Sequence, residues 1–491
     1  MKQLLDQLDS VFNHIDAQIE DHIARLQAFV RQPSISAENN GIRECASLLG
    51  GYFRELGCDP VEIVETAGHP VVYAERWVGA PRTLVIYLMY DTQPVVGETW
   101  TVPPLEGRIV EVEPVGRCLM ARGAKNSKGP LRAFLNAVES ILVATGTLPV
   151  NLIFVAEGEE ELGSPNLPEF IQRYASRIGR ADAMLHPYAL QEPDGRVLAW
   201  PGTKGLLYVE LEANGERWGR GPRAYDIHAS QKAIVDSPAW RLVKALDTLV
   251  SDDGNTPAID GFFDDVRPPT AAEEAAVERL AKTFRLDPFK QLWRVTEYLG
   301  QESTTALLRR YFFTPTLNID GIWGGYTAPG SKTVLPWRAQ AKLDMRLVPD
   351  QRRDDIFAKL RAHLDARGFT DLDLRLNGGG EWSQTPPDAA IVRAAAAGLR
   401  QLGVEPEVWP RNVGFFPSYL FSRAPLNLPF VAAGLGHGGQ AHSPDEYFVL
   451  DGNDQVFGLA ACEKSYAAML FHYAAGESAQ RQRGTGRTHR R

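Results

Sequence analysis

The chain has 491 residues, 44% hydrophobic and 23% charged, the composition of a globular protein too long for one ordinary core, so two domains are expected. Its formal net charge of -9 argues against a nucleic-acid-binding surface. The scattered Cys45, Cys58, Cys118 and Cys462 form no CxxC pair, residues 1–6 do not open a signal peptide, and no run approaches a membrane span; a cytoplasmic chain with reduced structural thiols is expected.

Apolar residues at helical spacing from Leu4 through Val30 predict an amphipathic helix over residues 1–31, ended by Pro33. Residues 83–88 read as a buried strand leading to Met89, Tyr90 and Asp91, and a helix should follow Lys128-Gly129-Pro130. Next come a strand at 150–156, a helix near 167–174 and a short strand at 183–185, an alternation that predicts an α/β sheet with helices on both faces. From about Leu206 the character changes: strand-like stretches at 206–211 and 339–347 mix with helices at 239–249, 271–283 and 354–366. That mixture predicts an inserted α+β unit over 206–384, with Asn377-Gly378-Gly379-Gly380 as turns near its exit. The first domain, 1–205, should resume over 385–474 with a helix at 389–402, a strand at 429–433 and a helix at 453–474. Residues 475–491 are polar and rich in Arg and Gly and read as a disordered tail.

The segment Glu157-Gly158-Glu159-Glu160-Glu161-Leu162-Gly163-Ser164 carries the chemistry. It follows an apolar strand, and ligands bind at the carboxyl ends of strands in open α/β sheets. Adjacent carboxylates there point to one metal ligand and one general base; the competing reading is a solvated acidic loop. Together with Tyr90-Asp91-Thr92-Gln93-Pro94-Val95, Arg122-Gly123-Ala124, Lys128-Gly129-Pro130 and residues 315–321, this segment resembles the dinuclear-zinc family of aminoacylases, carnosine dipeptidases and glutamate carboxypeptidases, most closely its dipeptidase branch. The resemblance spans nearly the whole chain, to about Ala474. It implies a zinc-binding α/β catalytic domain with an inserted α+β lid, which also forms a homodimer interface.

The family's two-zinc centre carries over only in part. Glu161 and His442 match metal ligands, Glu160 matches the catalytic base, and Asp91 is retained. Met89 stands where the family has its first His, Asn126 where it has the bridging Asp, and Tyr188 where it has another Asp. Thioether, amide and phenol are poor zinc ligands, so at most one weakly held zinc or manganese ion is expected, with His186 or His437 as conceivable substitutes. His228, in Asp226-Ile227-His228, resembles the lid residue that reaches the partner's site as oxyanion donor, and Arg346 the clamp on a substrate carboxylate. Asn318 and Thr327 lie on strings that resemble substrate-contacting parts of the lid. Where the family has Glu-Gly-Gly-Ser, this chain has Asn412-Val413-Gly414-Phe415, so Gly414 and Phe415 should shape a more apolar pocket floor.

Three functions fit these residues. One is an enzyme without the two-zinc centre, acting on a small amino-acid- or dipeptide-like carboxylate by acid–base chemistry at Glu160, with His228 and Lys125 or Asn126 as electrophilic partners. Its reaction would be amide hydrolysis or a repurposed cyclisation, elimination or acyl transfer. Another is a single-metal dipeptidase or N-acyl amino acid amidohydrolase. The last is a non-catalytic binding or scaffold protein.

Overall fold

The apolar runs become the middle of an eight-stranded sheet. The computed structural model describes residues 2–300 and 303–476. Across the sheet the order is Val61–Val64, Val71–Arg76, Asn151–Glu157, Thr83–Met89, Ala183–Pro187, Phe430–Ala433, Leu198–Trp200 and Glu407–Val408. From Asn151–Glu157 to Phe430–Ala433 neighbouring strands run parallel. Val71–Arg76 and Leu198–Trp200 flank that block antiparallel. Every residue of Thr83–Met89, Asn151–Glu157 and Ala183–Pro187 is buried, as expected of parallel strands covered on both faces.

Alternation along the strands divides the core. Leu84, Ile86, Leu88, Phe154 and Ala156 face a cluster built with helices Lys128–Thr145, Ala390–Arg400 and Leu459–Ala475. Val85, Tyr87, Ile153 and Val155 face Leu167–Ile178 and, from later in the chain, Val277, Leu280, Leu308 and Phe312. A second, antiparallel sheet runs Thr316–Gly324, Arg338–Leu347, Gly205–Asn214, Asp373–Gly380, with helices Pro238–Asp247 and Arg353–Ala366 against it. The architecture is therefore the expected α/β sheet domain with an α+β layer between its two halves in sequence.

Three elements differ from expectation. The predicted helix over 1–31 is three helices, Lys2–Leu5, Leu8–Ala17 and Ile19–Arg31, parted by a turn at Asp6 and Gln7 and by Gln18, which leaves helical geometry. Residues 377–380 are no turn but the end of strand Asp373–Gly380. Their glycines answer close approach: a Cβ on Gly379 would lie 2.0 Å from Leu206 O, and one on Gly380 2.3 Å from the Tyr419 ring. The last helix starts at Leu459 rather than 453, since Asn453 Oδ1 accepts the N–H groups of Gln455 and Val456 and closes a turn there. The predicted tail lies, from residue 477, outside the described residues. All four cysteines are unpaired and buried. Among the described residues no helix is long and apolar enough to cross a membrane.

Glu75, 3% exposed, ties the sheet to the helix behind it. It accepts bonds from Trp77 Nε1 (2.5 Å), Tyr73 OH (2.8 Å), Arg177 Nε (2.9 Å) and Arg180 Nη2 (2.5 Å). Burial pushes its carboxyl up, but these four donors outweigh it and hold it at about 2. A carboxylate depressed in the folded state stabilises above its unfolded pKa, and that stability is lost as pH falls through the folded value. Glu75→Gln is therefore expected to cost about 2–3 kcal/mol at pH 7 and nothing near pH 2, read from urea unfolding across pH. An equal loss at both ends of that range would refute the linkage.

Candidate functional site

The carboxyl edge of the parallel strands gathers the expected residues. Met89 ends its strand in register with Glu157 and is buried, and Asp91 follows two residues later, fully buried. Beyond Glu157, Gly158 lets the chain pass Tyr90, since a Cβ there would lie 2.5 Å from the Tyr90 ring. The chain then turns through a short 3-10 helix, Glu160–Leu162, whose first N–H groups point at Asp91: Glu160 N and Glu161 N donate to its Oδ1 and Oδ2 at 3.2 and 3.0 Å. Tyr188 leaves the next strand over, just past Pro187.

Asn126 sits at the centre. Its Nδ2 donates to Glu161 Oε1 at 2.6 Å and to His442 Nε2 at 2.8 Å, while its Oδ1 accepts from Tyr188 OH at 2.8 Å and Ser127 Oγ at 3.1 Å. Gln93 Nε2 donates to the other Glu161 oxygen at 2.7 Å. His442 Nε2 is 3.4 Å from Glu161 Oε2, a pairing that requires a proton on that nitrogen; the shorter bond from Asn126 instead uses its lone pair. Glu161 therefore has amide N–H groups aimed at both of its oxygens, and His442, in the form with a free Nε2 lone pair, has one aimed at that nitrogen. Among the described residues no three His, Cys, Asp or Glu are placed together to hold a metal ion.

The neighbouring carboxyls share little positive charge. Burial, then the Glu161 charge, raises Asp91 to about 7. Burial likewise raises Glu157 to about 8, against hydrogen bonds from Tyr87 OH and from Ser164 Oγ at 3.0 Å. Glu160 is pushed well above the ordinary carboxyl range by burial and by Glu161, Asp91 and Glu157.

His186 and His437 have other work. His186 donates from Nδ1 to Tyr87 O at 3.0 Å, and His437 bonds Gln191 O at 2.8 Å and Tyr447 OH at 3.2 Å. Burial lowers both to about 4. Lys125 donates to Ala189 O at 2.6 Å, with its ammonium 5.5 Å from the centre of the Tyr188 ring.

The remaining predicted residues make no hydrogen bond to this cluster. His228 is exposed: its Nδ1 accepts from Ser230 N at 3.2 Å, and its Nε2 meets Thr333 Oγ1 at 3.2 Å. Arg346 pairs through Nε with Asp344 at 2.7 Å. Asn318 donates to Asp320 at 2.9 Å, and Thr327 stands exposed beside a cleft with Asp226 and Trp337. Gly414 N donates to Asn412 Oδ1 at 3.0 Å, and the Phe415 ring lies 6.1 Å from Tyr419. The floor residue that reaches the cluster is Phe416, 5.1 Å from the His186 ring, which in turn packs on Tyr188.

Sequence reasoning missed Glu446. Fully buried, it accepts Arg122 Nη1 at 2.9 Å and the N–H groups of Gly123, Lys125 and Asn126 at 3.2, 2.8 and 2.7 Å, so it shapes the loop that presents Asn126. Gly129 completes that loop, since a Cβ there would lie 1.9 Å from Ala124 O. Thr333, the partner of His228, was also unread.

Residues 86–463 match the model of peptidase family M20/M25/M40. The chain is 26% identical to the Cys-Gly metallodipeptidase DUG1 of Saccharomyces cerevisiae, over 95% of this chain and 98% of that protein. It is 30% identical to the human Beta-Ala-His dipeptidase over 73% of this chain and 71% of that one. Among solved structures, an M20 family metallo-carboxypeptidase from Sulfolobus solfataricus superposes with a TM-score of 0.83 at 34% identity, covering 92% of this chain and 99% of that one.

Proposed function

The chain belongs to peptidase family M20/M25/M40, in its dipeptidase-like branch, and from that premise we propose that it processes a dipeptide- or N-acyl-amino-acid-like carboxylate with a hydrogen-bonded carboxyl cluster in place of a two-metal centre. The observation that carries this reading is the Asn126 amide, which donates to Glu161 and His442 together while Tyr188 OH donates to its oxygen. Donor hydrogens fill the positions where a pair of cations would need lone pairs, and no carboxylate bridges them. These residues do not fit two zinc ions, and the mechanism is derived without any.

In that mechanism Glu160 moves the proton. Ionised, it takes a proton from the attacking water, and the same proton then passes to the leaving amine nitrogen, so none is consumed. Its raised pKa makes it a stronger base when ionised and a competent acid when protonated. Asp91, bonded to the N–H groups of 160 and 161, holds the turn that carries Glu160. Arg346 clamps the substrate carboxylate, and the antiparallel sheet with helices Pro238–Asp247 and Arg353–Ala366, within residues 206–384, acts as a lid. Val277, Leu280, Leu308, Phe312 and Phe313, from the same stretch, pack on the main sheet instead. His228, exposed and held by Ser230 and Thr333, serves a partner subunit's oxyanion across a homodimer. Exposed Ile319, Ile322 and Trp323 on strand Thr316–Gly324, at the edge of its sheet, supply apolar surface for that pairing.

The test is metal content after exposure to excess zinc or manganese and desalting. The chain is expected to keep less than one equivalent. Met89→His/Asn126→Asp/Tyr188→Asp, which rebuilds the family's ligands, is expected to keep about two, the family's number. Two equivalents on the unaltered chain would overturn the reading; one firmly held ion would place it on Glu161 and His442 and make this a single-metal hydrolase.

A further inference from the structure

Lys204 is 3% exposed and donates to Thr314 O at 2.8 Å, yet no carboxylate pairs with it among the described residues. Its charged neighbours are cations: burial first, then the Arg411 and Arg346 guanidinia, lower its ammonium to about 7. The nearby carboxylates serve those arginines, Glu273 pairing with Arg411 at 2.5 Å and Asp344 with Arg346 at 2.7 Å. Arg411 is itself fully buried and leaves Nε and Nη1 without acceptors. Buried donors and charge without counter-groups are costly, so this corner of the fold is short of an anion.

Beside it lies a cavity of about 800 Å³, within the size range of small-molecule sites. Its lining includes Lys204 and Arg346 together with Phe289, Trp293, Tyr298 and Tyr311. The aromatic wall is mutually braced: Phe289 lies 5.0 Å from Trp293, Trp293 6.3 Å from Tyr311, and Tyr311 6.3 Å from the core residue Trp409. Val413 joins the wall, three residues before Phe416 reaches His186, so one short segment links this cavity to the carboxyl cluster.

We propose that this cavity binds a bulky aromatic carboxylate, with the carboxylate on Lys204 and Arg346 and the ring against Phe289, Trp293 and Tyr311. An anion there takes up the Lys204 protons that Thr314 does not use, and an aromatic group matches a wall built of rings. The proposal names the substrate class for the function above and rests on that reading through Arg346. Affinity is measured rather than turnover, so failure of the acid–base mechanism and failure of this site give different results.

Calorimetric titration of the full chain with indole-3-acetate, indole-3-acetamide and acetate decides it. The acid is expected to bind at least about tenfold tighter than its amide, the scale of one charge-assisted hydrogen bond, and acetate far more weakly than either. Lys204→Met should abolish the preference for acid over amide, while Lys204→Arg should keep it. Trp293→Ala, at a half-exposed position, should weaken the acid about tenfold with the preference intact. Equal binding of acid and amide, no binding of either, or an undiminished preference in Lys204→Met overturns the proposal. If Lys204→Met does not fold, an unchanged affinity in Trp293→Ala overturns it instead.

Discussion

Glu160→Gln is expected to lower kcat by about 10²–10⁴-fold on any dipeptide or N-acyl amino acid that the chain turns over, with KM changed only a few-fold. The amide keeps the size of the carboxyl and its place after Glu159 but can neither take nor return a proton. Fold stability should not suffer, because the substitution removes one of the acidic groups that Glu161, Asp91 and Glu157 crowd in a buried site. The pH profile is the second readout. With Glu160 held well above the ordinary carboxyl range, the ionised base grows with alkalinity, so kcat/KM should climb through the neutral region rather than stand on a plateau from pH 5 upward. Asp91, at about 7, ionises in the same interval, and its negative charge holds Glu160 up, so the climb is spread over a wider pH range. A strong chelator should leave the unaltered chain's rate where it was. Loss of activity on chelation, or an unchanged kcat in Glu160→Gln, would sink the acid–base reading and return the chemistry to a metal.

What could be read beforehand follows from where each residue's constraint comes from. Strands such as Thr83–Met89 and Asn151–Glu157 are buried on both faces, so their apolar runs are unbroken and legible. The glycines at 378–380 were misread because the usual reason for glycine in series is a turn. Here Gly379 and Gly380 are needed because the backbone of Leu206 and the ring of Tyr419 press against them, a requirement that belongs to partners far away in sequence. Gln18 breaks a helix whose apolar spacing continues on both sides, and spacing alone carries no mark of that break.

The site divides the same way. Asp91, Asn126, Tyr188, Glu161 and His442 were placed by matching strings, and the structure brings them into one hydrogen-bonded cluster. What the strings did not convey is how the exchanges agree with one another. Once Asn stands at 126 its amide supplies two donors, and Glu161 and His442 supply two acceptors. Tyr at 188 then supplies the hydroxyl that the amide oxygen lacks. The exchanges at 126 and 188 thus satisfy each other and the Glu161 and His442 side chains, while Met89 takes no part in the network. Lys204 and Glu446 were silent for a different reason: one charged residue in a strand or a loop has the same appearance in sequence whether it is solvated or buried without a counter-charge.

Glu446→Ala is expected to destabilise the fold by about 3–5 kcal/mol, the cost of removing one partner from a buried ion pair. Arg122 is 1% exposed and would keep the Glu98 carboxylate, the carbonyl groups of Pro94 and Ser443 and the face of the Trp100 ring. The N–H groups of Gly123, Lys125 and Asn126 would lose their acceptor at once. Those three donors lie in a loop without regular structure of its own, so no ladder of backbone bonds stands ready to replace the carboxylate. Glu446→Gln separates stability from function. It keeps volume and one oxygen, so it should fold with a smaller loss, about 1–3 kcal/mol, but its NH2 end faces donors it cannot accept from. Asn126 then loses its fixed presentation, and kcat should fall in a chain that remains folded by circular dichroism. Urea unfolding of both variants reads the first effect and steady-state kinetics the second. A loss below about 1 kcal/mol in Glu446→Ala would mean that water reaches the loop and that Asn126 is held by Glu161, His442 and Tyr188 alone.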